Sequence, residues 1–104
     1  MNRTIKPEQL KNEITGKFIL DVRREADRAA STEQIANAQW KNPEQITQWV
    51  DHLPQDQDIV IYCVRGGGVS NSVVDTLQAK GLKACFIEGG IEGWKAAGGT
   101  VIRK

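Results

Sequence analysis

Apolar positions recur along this chain in two rhythms. The first is the short continuous run. Ile59-Val60-Ile61-Tyr62-Cys63-Val64 is β-branched and apolar at successive positions, so it predicts a strand over 58–63 buried on both faces, as in parallel sheets covered by helices. Lys17 to Val22, after the turn residue Gly16, and Leu82 to Ile87 read as further strands. The second rhythm is helical. Asn42-Pro43-Glu44 offers an N-cap followed by proline at the first helical position. Ile46, Trp49, Val50 and Leu53 then follow at i, i+3, i+4 and i+7, and Pro54 ends the helix. A helix over Ser70 to Lys80 turns Val73, Val74 and Leu77 inward and stops at Gly81. Shorter helices are expected over Pro7 to Glu13 and Ile91 to Ala97. Arg24 to Asn37 is polar and weakly periodic, and reads as loop with one helical turn. Strands alternating with helices predict an α/β fold around a mostly parallel sheet.

The length of 104 residues fits one domain, 1–104, and at this size neither a metal nor a disulfide staple is needed. Lys+Arg number 14 against 13 Asp+Glu. This balance lacks the basic stripe of a nucleic-acid binder and the polybasic patch of a membrane anchor, so neither nucleic acid nor membrane is an expected partner. No apolar run approaches a membrane span, and the N-terminus lacks the apolar segment of a signal peptide. The expected location is the cytoplasm, where Cys63 and Cys85 would be free thiols. The single histidine, His52, and the lack of a Cys-x-x-Cys argue against a zinc site, so no metal is expected.

The informative chemistry lies at the end of the central run. A cysteine there is followed by the glycine-rich stretch Val64-Arg65-Gly66-Gly67-Gly68-Val69 and a helix start at Ser70. Ligands of open α/β sheets bind outside the carboxyl ends of the strands. Glycines allow a loop to turn its N–H groups inward, forming an anion nest to which the next helix adds its positive end. Arg65 supplies a fork of donors suited to an oxyanion. Surroundings of this kind favour a thiolate, the nucleophilic form of cysteine. Two other readings compete at this level. Free cysteines are often simply core. A phosphate loop is disfavoured, because the Lys-Ser/Thr pair after the last glycine and the Gly-x-Gly-x-x-Gly spacing are both absent.

Three stretches together resemble the rhodanese-like (thiosulfate sulfurtransferase) family. Leu20-Asp21-Val22-Arg23 is similar to its strand-end signature, and Val60 to Gly66 to its active strand and loop. Ile87-Glu88-Gly89-Gly90-Ile91-Glu92-Gly93-Trp94 is similar to its closing Gly-Gly-x-x-x-Trp motif. Their order and separation match from about Lys6 to Val101. The sequence departs from the family at Gln34 to Trp40, where a His and a Gly of the usual His-x-x-Gly-Ala are missing. It departs again at Gly67 and Gly68, where larger polar residues are usual.

The resemblance implies a three-layer α/β sandwich of about five strands with helices on both faces. It implies a sulfurtransferase that moves sulfane sulfur from a small anionic donor such as thiosulfate to a thiol or cyanide acceptor through a Cys63 persulfide, without cofactor. The alternative is a non-catalytic sulfur carrier or interaction module loaded by a protein partner, and a protein acceptor also fits. Backbone amides from Val64 through Arg65, Gly66, Gly67 and Gly68 to Val69 would cradle the donor. Arg65 would meet its charge, and Ser70 would start the helix and bond back to the loop. Asp21 and Arg23 would be scaffold. A Cys-based phosphatase needs Cys-x5-Arg, and Val69 occupies that arginine position. A redox sensor has no distinctive support. Trp40, Trp49 and Trp94 are expected to pack, His52 to lie at the surface, and Cys85 to be buried and inert rather than a resolving thiol.

Overall fold

A computed structural model describes residues 3–65 and 67–103. The strands are β1 (Thr4–Ile5), β2 (Phe18–Asp21), β3 (Glu33–Ile35), β4 (Gln39–Trp40), β5 (Ile59–Tyr62), β6 (Ala84–Ile87) and β7 (Val101–Arg103). The helices are α1 (Pro7–Glu13), α2 (Glu25–Ala30), α3 (Ile46–Trp49), α4 (Gly68–Ala79) and α5 (Gly90–Ala96). Five strands form one sheet in the order β1-β6-β5-β2-β4, and every neighbouring pair is parallel. β3 and β7 form a separate antiparallel pair.

The central position of β5 explains its composition. All four of its residues are fully buried, because the side chains alternate between two cores. Ile59 and Ile61 join Trp49, Val50, Leu53, Val73, Val74 and Leu77 beneath α3 and α4. Val60 and Tyr62 join Leu10, Ile87, Ile91 and Trp94 beneath α1 and α5. The sheet is thus sandwiched between two helical layers, as the expected fold requires.

Asn42 caps its helix through a bond from the Glu44 N–H to its side chain (3.0 Å). The segment then runs as a 3-10 turn, the single α turn of α3 and a second 3-10 turn to His52, and ends before Pro54 at an extended Leu53. α4 closes as predicted at Gly81, whose φ is +80°. The Leu82 N–H reaches the Leu77 carbonyl and the Gly81 N–H that of Gln78, the paired bonds of a Schellman stop.

The segment 24–37 is a correction. It holds α2 and β3, more structure than a loop with one turn. α2 buries none of its residues, so no apolar stripe marks it in sequence. β3 carries one buried residue, Ile35, and its partner β7 lies far along the chain.

Candidate active site

β5 delivers Cys63 to the carboxyl edge of the sheet. The thiol is free and 7% exposed, in the wall of an open cavity of about 430 Å3 that Val64, Arg65, Gly67, Gly68 and Val69 also line. Val64 and Val69 are half-buried, whereas Arg65, Gly67 and Gly68 are exposed. Gly66 lies outside the described residues. The backbone N–H groups of Arg65, Gly67, Gly68 and Val69 donate to no backbone carbonyl among the described residues. They therefore stand ready for an anionic guest.

Two expectations about this loop are corrected. Gly67 and Gly68 do not adopt left-handed backbone, and a Cβ on either would meet nothing within 4 Å. They keep the cavity mouth clear of side chains rather than permitting an otherwise forbidden turn. Ser70 does not start the helix: α4 begins at Gly68 with Gly67 as its N-cap. Ser70 is fully buried outside the cavity lining, and its hydroxyl has no partner among the described residues.

The glycines that backbone geometry does demand lie elsewhere. Gly90 opens α5 at φ +62°, and a Cβ there would sit 2.4 Å from the Cys63 carbonyl oxygen and 2.6 Å from the Val64 carbonyl. This close approach lets the start of α5 clasp the strand end. The Ile91 N–H donates to the Cys63 carbonyl (2.9 Å) and the Glu92 N–H to the Val64 carbonyl (3.2 Å). The Gly-Gly pair before Trp94 thus fixes the backbone carrying the thiol, a role not assigned from its spacing.

On the other side of β5, β2 presents the buried pair Asp21 and Arg23, each 1% exposed. Arg23 donates to the Asp21 carboxylate from Nε (3.1 Å) and Nη2 (2.8 Å), and Nη2 also reaches the Glu33 carbonyl (3.1 Å). Its guanidinium lies 5.5 Å from the centre of the Tyr62 ring. Burial opposes the charge on Arg23, but bonding and attraction to Asp21 outweigh it and raise the pKa. Burial, aided by the Asp21 charge, also pushes the Tyr62 hydroxyl up. Asp21 and Arg23 are thus a buried, mutually paired couple, and Arg23 also borders the Cys63 cavity.

Arg24 and Asp27 border that cavity too, and sequence reading missed both. The available signal was position: they follow the end of β2, which pairs in register beside β5. The side chains of Arg24 and Arg65 make no hydrogen bond or ion pair within the described residues. Two guanidinium groups with no partner among the described residues therefore border the cavity that holds the cysteine.

The tryptophans and His52 fall where expected, whereas Cys85 is less buried than expected. Trp49 and Trp94 are buried, while half-buried Trp40 packs under Arg28 (5.0 Å) and His52 is exposed. Cys85 is half-buried, and burial pushes its thiol up. It pairs with Val60, which puts it about 10 Å along the strand direction from Cys63 at ~3.3 Å per residue. That exceeds the ~7 Å Cα separation a disulfide tolerates, so Cys85 cannot resolve Cys63 without backbone movement.

The comparisons with known proteins agree with this geometry. A family model described as a rhodanese-like domain matches residues 6–97. A rhodanese-related protein from Thermoplasma volcanium is 26% identical, with a TM-score of 0.88 over 99% of this chain and 100% of that one. A rhodanese-like domain protein from Staphylococcus aureus is 27% identical, with a TM-score of 0.77 over 89% of this chain and 91% of that one. A thiosulfate sulfurtransferase from Pseudomonas aeruginosa is 24% identical and shares the fold, with a TM-score of 0.81 over 99% of this chain but 20% of that one. No curated protein matches the sequence. The family match over most of the chain and the agreement in fold establish that the chain belongs to the rhodanese-like domain family, which includes sulfurtransferases.

Proposed function

We propose that the protein is a thiosulfate sulfurtransferase acting as a single unit over 1–104, with Cys63 as its nucleophile. The observation that carries this reading is the joint placement of a strand-end thiol, a loop of unpartnered amides and the guanidinium groups of Arg24 and Arg65 around one cavity. The Cys63 thiolate attacks the outer sulfur of thiosulfate. A Cys63 S–S bond forms, the donor S–S bond breaks, and sulfite leaves with the bonding pair. Val64, Arg65, Gly67, Gly68 and Val69 form the cradle, their amides and the Arg65 charge meeting the donor's sulfonate oxygens. A nucleophilic acceptor then takes the outer sulfur and regenerates the Cys63 thiolate. These steps are polar displacements that need no cofactor. The reducing cytoplasm is the compartment that suits a resting thiol.

The unobstructed space at Gly67 and Gly68 favours a second reading, a sulfur carrier whose cysteine is loaded and emptied by a protein. Turnover separates the two. The enzyme transfers sulfur from thiosulfate to cyanide alone, at a rate abolished by Cys63→Ser. A carrier shows no turnover until its partner is added.

A further inference from the structure

The Cys63 cavity is one half of a larger depression. Beside it runs a groove of about 600 Å3 between the segment at Pro43, Glu44 and Ile46 and the face of α4 formed by Val69, Ser72, Val73 and Thr76. The two spaces share Arg24, Gly68 and Val69 as a common border. Gly68 stands on that seam between Arg24 and Val69, with open space where its Cβ would be, so at that point the groove opens toward the thiol without a side chain between. The groove falls within the ~300–1,000 Å3 range of small-ligand sites, far more room than thiosulfate or cyanide needs.

Its lining also has a pattern. The floor is apolar, since Ile46 and Val69 pack on the core and Val73 is buried within it. Two charged side chains of opposite sign border it, Arg24 and Glu44, both exposed. Neither makes an ion pair or hydrogen bond through its side chain within the described residues. A guest carrying one charge of each sign would meet both.

Resting on the sulfurtransferase reading, we propose that this groove binds the body of the sulfur acceptor, a low-molecular-weight zwitterionic thiol. Its carboxylate lies at Arg24, its ammonium at Glu44, and its sulfur at Cys63. The thiol loses its proton to water, and the thiolate attacks the outer sulfur of the Cys63 persulfide. The new S–S bond forms on the acceptor, and the Cys63 S–S bond breaks to return the Cys63 thiolate. One persulfide and one thiolate become one thiolate and one persulfide, with no net oxidation.

The test loads Cys63 with thiosulfate, removes the donor and follows discharge against concentration of four thiols. These are cysteine with both charges, N-acetylcysteine with the carboxylate, cysteamine with the ammonium and 2-mercaptoethanol with neither. Cyanide serves as the reference acceptor. Cysteine should saturate with the lowest KM. Glu44→Gln should raise KM about fivefold for cysteine and cysteamine but not for N-acetylcysteine, and Arg24→Gln should do so for cysteine and N-acetylcysteine but not for cysteamine. Ser72→Phe, which fills the groove from an exposed helical position, should slow all four thiols relative to cyanide. Linear, non-saturating discharge by every thiol, or the same order of preference in all variants, overturns the assignment. Discharge by cyanide but by none of the thiols also overturns it, in favour of a protein acceptor. If Cys63 never gains sulfur from thiosulfate, the sulfurtransferase reading itself fails.

Discussion

Gly90→Ala attacks the clasp between α5 and the strand end that carries the thiol. Three contributions set its cost. An alanine at φ +62° sits in left-handed backbone, worth about 1–2 kcal/mol. Its Cβ would stand 2.4–2.6 Å from the Cys63 and Val64 carbonyl groups. These are backbone atoms that cannot rotate aside, and forced repacking of this kind costs about 1–3 kcal/mol. Moving α5 away stretches the bonds from Ile91 to Cys63 and from Glu92 to Val64, each worth about 1 kcal/mol. Taken at their lower ends, these contributions sum to about 4 kcal/mol, a large share of the ~5–15 kcal/mol that holds a domain together. At ~4–8 °C per kcal/mol for a chain of about this length, the melting point should fall by about 15–30 °C. Urea unfolding of the variant beside Gly67→Ala is the assay. Gly67 has no left-handed φ and open space for a Cβ, so its variant should stay within ~0.5 kcal/mol of the parent. A Gly90→Ala loss below about 1 kcal/mol would refute the clasp.

Other substitutions probe the surroundings of Cys63. Arg23→Met should cost about 3–5 kcal/mol by urea unfolding, because it leaves the Asp21 carboxylate buried without its partner; a loss below ~1 kcal/mol would contradict the scaffold role. Arg65→Ala, at an exposed position in the cavity wall, should lower kcat/KM for thiosulfate about tenfold, and unchanged kinetics would place Arg65 outside the donor site. The Cys85 thiol and Tyr62 hydroxyl are both pushed up in the folded chain, chiefly by burial. The unfolded chain therefore loses these protons first, and stability should decline as pH rises through ~8.5 and then ~10. Tyr62→Phe should flatten the upper part of that decline while removing the acceptor for the Ile35 N–H (3.3 Å); an equally steep decline in the variant would exclude Tyr62 as its source.

The sequence revealed whatever was written in local pattern. The run at 59–62 had to be a doubly buried strand, and the Asn42-Pro43 start and Gly81 stop are local chemistry that tertiary packing left intact. α2 was hidden because it buries nothing. β4 and β7 were hidden because two or three residues carry no readable period and gain their structure from distant partners. The site was legible at Cys63 and its loop, which are contiguous. Arg24, Asp27 and Gly90 join the site across the sheet edge, through the pairing of β2 with β5 and the packing of α5 on the strand end. Such proximity follows from topology and not from spacing. The glycine loop shows the limit most clearly. A glycine in sequence signals either a forbidden dihedral or an absent side chain, and only the fold separates Gly90, which needs the first, from Gly67 and Gly68, which supply the second.

The central claim is that Cys63 carries the sulfur. Its most direct test is to treat the protein with thiosulfate, digest it without reductant, and map the added sulfur by peptide mass. The account predicts one extra sulfur on the peptide holding Cys63, none on the peptide holding Cys85, and loss of the addition in Cys63→Ser but not in Cys85→Ser. Sulfur found chiefly on Cys85, or on neither cysteine, would contradict it.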